Sequence, residues 1–153
     1  MKLVFIYGDE KNISADLTEF WTGSRCYHVG FTDGIHFWDM NLIRRRRLWP
    51  HYPTDKKLVM IDCPAKVTID YLEHQLDTSE EKYGWRDYLM FALRPIYHLF
   101  GKSTRNIGGT ICSEMVANDM IACGWEHRFK EVPSPADLEK VLLRLSASRK
   151  ATK

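Results

Sequence analysis

The chain opens on an apolar run, Leu3-Val4-Phe5-Ile6-Tyr7, followed at once by charged Asp9-Glu10-Lys11. The run is too short for an export signal and predicts a first strand. Asn12 or Ser14 can cap a helix reaching to about Trp21, with Ile13, Leu17, Phe20 and Trp21 on its apolar side, and Gly23-Ser24 ends it. Residues 26–31 read as a strand, Thr32-Asp33-Gly34 as a hairpin turn, and residues 35–40 as the returning strand. Leu42-Ile43, the four arginines Arg44, Arg45, Arg46 and Arg47, and Leu48-Trp49 extend that strand or form an edge. Residues 57–62 predict a further strand of buried type, broken by Pro64.

From Thr68 the period becomes helical, with Ile69, Leu72 and Leu76 on one face. A polar stretch at 77–82 separates it from a second helix over 83–93, which Pro95 brings to an end near Arg94. Residues 101–109, with Gly101, Gly108 and Gly109, predict a loop, and residues 111–123 a helix stopped by Gly124. Ser134 caps a last helix with Pro135 in its first position and Leu138, Val141, Leu142 and Leu145 on its core face. The small, polar and basic stretch from Ser146 predicts a fraying tail. The organisation is one domain over 1–146 with a basic tail at 147–153. Its fold class is α+β: a compact antiparallel sheet or barrel packed with helices.

Composition narrows this modestly. The 153 residues are 44% hydrophobic and 27% charged, ordinary for a globular protein. No segment approaches the ~18 consecutive apolar residues of a membrane helix, so a cytoplasmic or virion-associated protein is expected. A net charge of +2 leaves the sign of a partner open. Four cysteines, at 26, 63, 112 and 123, contain no C-x-x-C pair, which argues against structural zinc. Without an export signal the thiols read as reduced, and no cofactor is expected.

The chemistry-bearing candidate is Cys112, which follows Gly108-Gly109-Thr110 and begins an apolar-periodic helix. A helix N-terminus lowers a thiol pKa and offers N–H groups to an oxyanion. The bland alternative is a small buried hydrophobe at a helix start. His28, in a strand beside a hairpin turn, can be held rigidly against a thiol, although a strand histidine can equally be a polar residue on a sheet face. Asp39 and His36 on the returning strand are placed to orient that imidazole. Regular alternation puts Cys26 and His28 on one face, but a metal pair there lacks further ligands at a recognisable spacing. Four arginines on a strand place two on each face. They suit phosphate or carboxylate groups of a ligand, or a solvated edge that resists aggregation.

Four segments in order carry a resemblance: Tyr27-His28-Val29-Gly30-Phe31, then Tyr83-Gly84-Trp85, then Cys112-Ser113-Glu114-Met115-Val116, then Pro133-Ser134-Pro135-Ala136-Asp137-Leu138. Over nearly its whole length the chain resembles the circularly permuted NlpC-type papain-like hydrolases of bacteria and bacteriophages, relatives of lecithin:retinol acyltransferase-like proteins. In these the histidine precedes the cysteine. The resemblance implies a permuted papain-like fold, a thiol nucleophile at Cys112, a general base at His28 and a third polar residue. Asp39 is favoured over His36 because a carboxylate both orients the imidazole and stabilises its charged form. Tyr83, Trp85, Glu114 and the Arg44 and Arg46 pair are candidate substrate contacts. The implied activity is hydrolysis or transfer of an acyl group, with peptidoglycan peptide amides as the natural substrate in a phage or bacterial setting. Partners would then be a peptide, peptidoglycan or acyl substrate, and virion proteins. Two other classes stand beside this: a non-catalytic structural or interaction module that keeps the fold, and a nucleic-acid binder using the arginine run. The near-neutral total charge argues against the latter.

Overall fold

The computed structural model describes residues 1–8, 16, 19, 22–49, 56–79, 99–100 and 110–151. Among them lie five strands, β1 (Lys2–Tyr7), β2 (Cys26–Thr32), β3 (His36–Asn41), β4 (Ile43–Leu48) and β5 (Leu58–Asp62). Three helices follow, α1 (Ile69–Thr78), α2 (Cys112–Ala122) and α3 (Pro135–Ala151). Every adjacent strand pair is antiparallel and the order across the sheet is β4-β3-β2-β1-β5. The protein is therefore α+β, with an antiparallel sheet whose edges, among the described residues, are β4 and β5.

The two-residue alternation of the strands builds two apolar layers. Leu3, Phe5, Val29, Phe31, Trp38 and Met40 face the helices, where Leu72, Met115, Val116, Met120, Leu138 and Leu142 close over them. Val4, Ile6 and Phe37 form a smaller cluster on the other face with Tyr27, Trp49 and Leu58 packed against it. β1 is thus buried on both faces, which is why its sequence is a continuous apolar run rather than an alternating one. β5 differs from expectation. It lies at an edge with Met60 half exposed, and Ile61 is its one buried residue.

The turns follow from local polar chemistry. Asp33 Oδ1 accepts from the backbone N–H groups of Ile35 and His36 at 2.7 and 2.6 Å, and Gly34 supplies a φ of 98°. The arginine run is a separate strand, because the chain reverses at Leu42, the one described non-glycine residue in the left-handed region, with φ 70°. Thr68 caps α1 by accepting from Tyr71 N–H at 3.2 Å. Ser134 and Asp137 cap α3 reciprocally, Ser134 Oγ accepting from Asp137 N–H at 2.9 Å and Asp137 Oδ2 from Ser134 N–H at 3.1 Å. That helix continues to Ala151, through the stretch expected to fray. Ser146 and Ser148 turn their hydroxyls onto the carbonyls of Leu143 and Arg144, so the polar residues are absorbed within the helix.

Asp16 and Glu19, from the helix expected over 12–21, are helical. The helix expected over 83–93 and the loop expected at 101–109 lie outside the described residues. No described helix is long and apolar enough to cross a membrane.

Candidate active site

β2 carries His28, and its register against β1 slips by one residue beside it. Ile6 pairs with His28 but Tyr7 pairs with Cys26, leaving Tyr27 as the extra residue of a bulge. The bulge separates two side chains that regular alternation would put on one face. Cys26 joins the helix-covered core, whereas Tyr27 stays with the opposite cluster, its ring 6.2 Å from that of His28. The Cys26–His28 metal pair considered from spacing is therefore not formed. Among the described residues no group of three His, Cys, Asp or Glu is arranged to hold a metal.

Behind His28 stands Phe37, ring centroids 6.3 Å apart. Its approach requires Gly30. A Cβ there would lie 2.6 Å from Phe37 Cζ and 2.5 Å from the Trp38 carbonyl oxygen. Gly30 is paired with Asp39 across the β2–β3 ladder, and this register brings Asp39 to His28. The His28 Nε2 to Asp39 Oδ2 distance is 2.8 Å, and the Asp39 side chain is fully buried. His36 turns elsewhere, its Nδ1 lying 3.1 Å from Asp33 Oδ2.

Asp39 holds more than the histidine. Arg45 donates Nε to Oδ1 at 2.8 Å and Nη2 to Oδ2 at 3.1 Å, and Arg47 donates Nη2 to Oδ2 at 2.7 Å. Burial would raise the Asp39 pKa, but the hydrogen bonds and charges of His28 and Arg45 outweigh it and hold the carboxyl well below its usual range.

Cys112 begins α2 and is 4% exposed. Its cap residue, Ile111, has no side-chain oxygen to offer the first-turn N–H groups. Ser113 Oγ donates to the Pro133 carbonyl at 2.6 Å and anchors the helix start to the segment that leads into α3. The Cys112 thiol acts electrostatically on His28. Burial works to lower the His28 pKa, but the charge of Cys112, the hydrogen bond to Asp39 and the charge of Asp39 push it up to about 9.

The remaining candidates fall as follows. Glu114 is buried in the first turn of α2, where its charge favours the positive end of the helix. Arg44 and Arg46 share the side of β4 that meets the helices, Arg44 buried and Arg46 exposed. Arg44 makes a bidentate pair with Asp119 of α2 at 2.8 and 3.0 Å, and Arg46 donates to Glu73 of α1 at 2.9 Å. Tyr83 and Trp85 lie outside the described residues. Sequence reasoning missed Arg45 and Arg47 as partners of Asp39, although the two-per-face alternation already put them on one side of the strand. Cys26, weighed from the sequence only as half of a metal pair, packs in the same core cluster as Cys112, and burial pushes its thiol pKa up.

No protein-family model, curated protein or solved structure matches the chain.

Proposed function

We propose that the protein is a cysteine-dependent acyl hydrolase or acyltransferase with a permuted papain-like arrangement, in which Cys112 is the nucleophile, His28 the general acid and base, and Asp39 the residue that orients the imidazole. One observation carries the reading: a single imidazole bonded to a buried carboxylate and coupled electrostatically to a thiol at a helix N-terminus.

In the reaction so proposed, His28 takes the thiol proton and Cys112 attacks the carbonyl carbon of an amide or ester. The C–S bond forms and the carbonyl electron pair moves to oxygen, where first-turn N–H groups of α2 can receive it. Collapse expels the amine or alcohol, which leaves with the proton from the imidazolium. Water, or an acceptor alcohol or amine, then gives its proton to His28 and displaces the sulfur, restoring the thiol. Peptide amides of peptidoglycan are the substrate class proposed.

The arginine run supports a polyanion-binding reading poorly, because each of its guanidiniums is already paired with Asp39, Asp119 or Glu73.

The test is the pH dependence of alkylation at Cys112 in the native protein and in His28→Ala. The reading expects alkylation of Cys112 to be faster in the native protein than in His28→Ala, with its pH profile changed by the substitution. A rate and profile unchanged in His28→Ala would remove it. Turnover of purified peptidoglycan that is lost in Cys112→Ala would name the substrate.

A further inference from the structure

The carboxylate that orients His28 is shared. Asp39, on β3 beside the strand β4, has a side chain with no solvent exposure, and three cationic or potentially cationic groups converge on it from two strands. His28 Nε2 and Arg47 Nη2 bond the same oxygen, Oδ2, and so lie within about 5.5 Å of one another. Arg45 spans both oxygens. We propose that Arg45 and Arg47 are positioning residues of the dyad: from the edge strand they fix Asp39 on His28 and limit the basicity that the carboxylate confers on the imidazole.

The physical reasoning is direct. A buried carboxylate facing one imidazole alone would either take up a proton itself or lock the imidazole in its charged form. A locked imidazolium is a poor base for the second half of an acyl transfer. Two guanidiniums on the carboxylate keep it ionised, and each also repels the charge that protonation would place on His28. The bidentate bond of Arg45 fixes the plane of the carboxylate, which lysine could not do as well. Among the described residues, the remaining titratable groups around the imidazole are these. Cys112 faces it from α2. Tyr27 lies beside it on β2, with Lys56 Nζ 2.9 Å from the Tyr27 hydroxyl. Ile6, paired with His28 on β1, is apolar.

This inference rests on the proposed dyad for its catalytic meaning, but its test does not. In the full chain, the titration midpoint of His28 is read by imidazole NMR, the resonance being assigned by His28→Gln. The measurement is repeated in a Cys112→Ala background to remove the thiol. Arg47→Gln is expected to raise the midpoint by about one pH unit in both backgrounds, as loss of a close like charge should. Arg47→Lys, which keeps the charge, should stay within a few tenths of the parent. Arg45→Gln should shift it in the same direction. Should that variant fail to fold, the two Arg47 variants decide, since the Arg47 side chain is one-third exposed. An unchanged or lowered midpoint in folded Arg47→Gln would overturn the proposal. A raised midpoint with an unreactive Cys112 would keep the clamp and remove the hydrolase reading; a reactive Cys112 with no shift would remove the clamp alone.

Discussion

Asp39→Asn exchanges a carboxylate oxygen for an amide nitrogen of nearly the same size, so it tests charge and hydrogen bonding with little change in packing. At Oδ2 three donors converge, from His28, Arg45 and Arg47 at 2.8, 3.1 and 2.7 Å. An amide nitrogen in that place meets only donors, and the flipped amide meets the Arg45 Nε donor at Oδ1 instead. Breaking a buried ion pair from one side costs about 3–5 kcal/mol. The arginines are 31% and 33% exposed and can recover hydration, which reduces the expected loss to ~2–4 kcal/mol. The sign of the pH dependence follows from the two groups. The Asp39 pKa is depressed in the folded state, so its contribution is present above its unfolded value near ~4 and is lost as pH falls below that. The His28 pKa is raised to about 9, so its contribution is complete below the unfolded value of 6.5 and is lost as pH rises through about 9. The penalty of Asp39→Asn should therefore peak between roughly pH 4.5 and 6.5 and shrink on both sides. Urea unfolding of the parent and the variant at pH 3, 5.5 and 9 measures it. A penalty that is flat across this range, or below about 1 kcal/mol at pH 5.5, would refute the reasoning.

Three further outcomes are expected. Asp119→Ala leaves Arg44, itself 8% exposed, and the Tyr71 hydroxyl without their shared acceptor, and should cost about 3–5 kcal/mol in urea unfolding; Arg44→Met combined with Asp119→Leu should recover most of it, and additive losses would argue against coupling. Gly30→Ala forces a methyl against the Trp38 carbonyl and the Phe37 ring, and should lower stability by about 1–3 kcal/mol while changing the His28 imidazole chemical shifts. Leu42→Gly relieves a left-handed backbone at a residue 54% exposed, and should raise the unfolding free energy by up to ~1 kcal/mol; a loss of stability would show that the leucine side chain matters there.

The legible parts of the molecule are those governed by short-range rules. Asp33-Gly34 announces the first hairpin, Ser134-Pro135 announces the start of α3, and two-residue alternation puts Asp39 rather than His36 beside His28. The illegible parts depend on pairing at long range. Nothing local distinguishes Asp119 as the acceptor for Arg44, 75 residues away, because any acidic residue on a facing helix would serve. The Tyr27 bulge is equally silent, since Arg25, Cys26, Tyr27 and His28 include neither a glycine nor a proline. β5 misled for a related reason: an apolar strand has the same sequence whether the sheet continues beyond it or ends there.

The arginine strand has a consequence for how the sheet finds its alignment. Acceptors wait on both of its faces, Asp39 on one and Asp119 with Glu73 on the other. A slip that puts Arg45 in the place of Arg44 would still present an arginine to every acid, so the run itself guards poorly against an error in that direction. Alignment must come from its flanks: the single-residue reversal at Leu42 on one side, and Leu48, paired with His36, on the other. The strained leucine thereby acts as the origin from which the strand is counted, and the geometry around His28 inherits its accuracy from a turn far along the chain's edge.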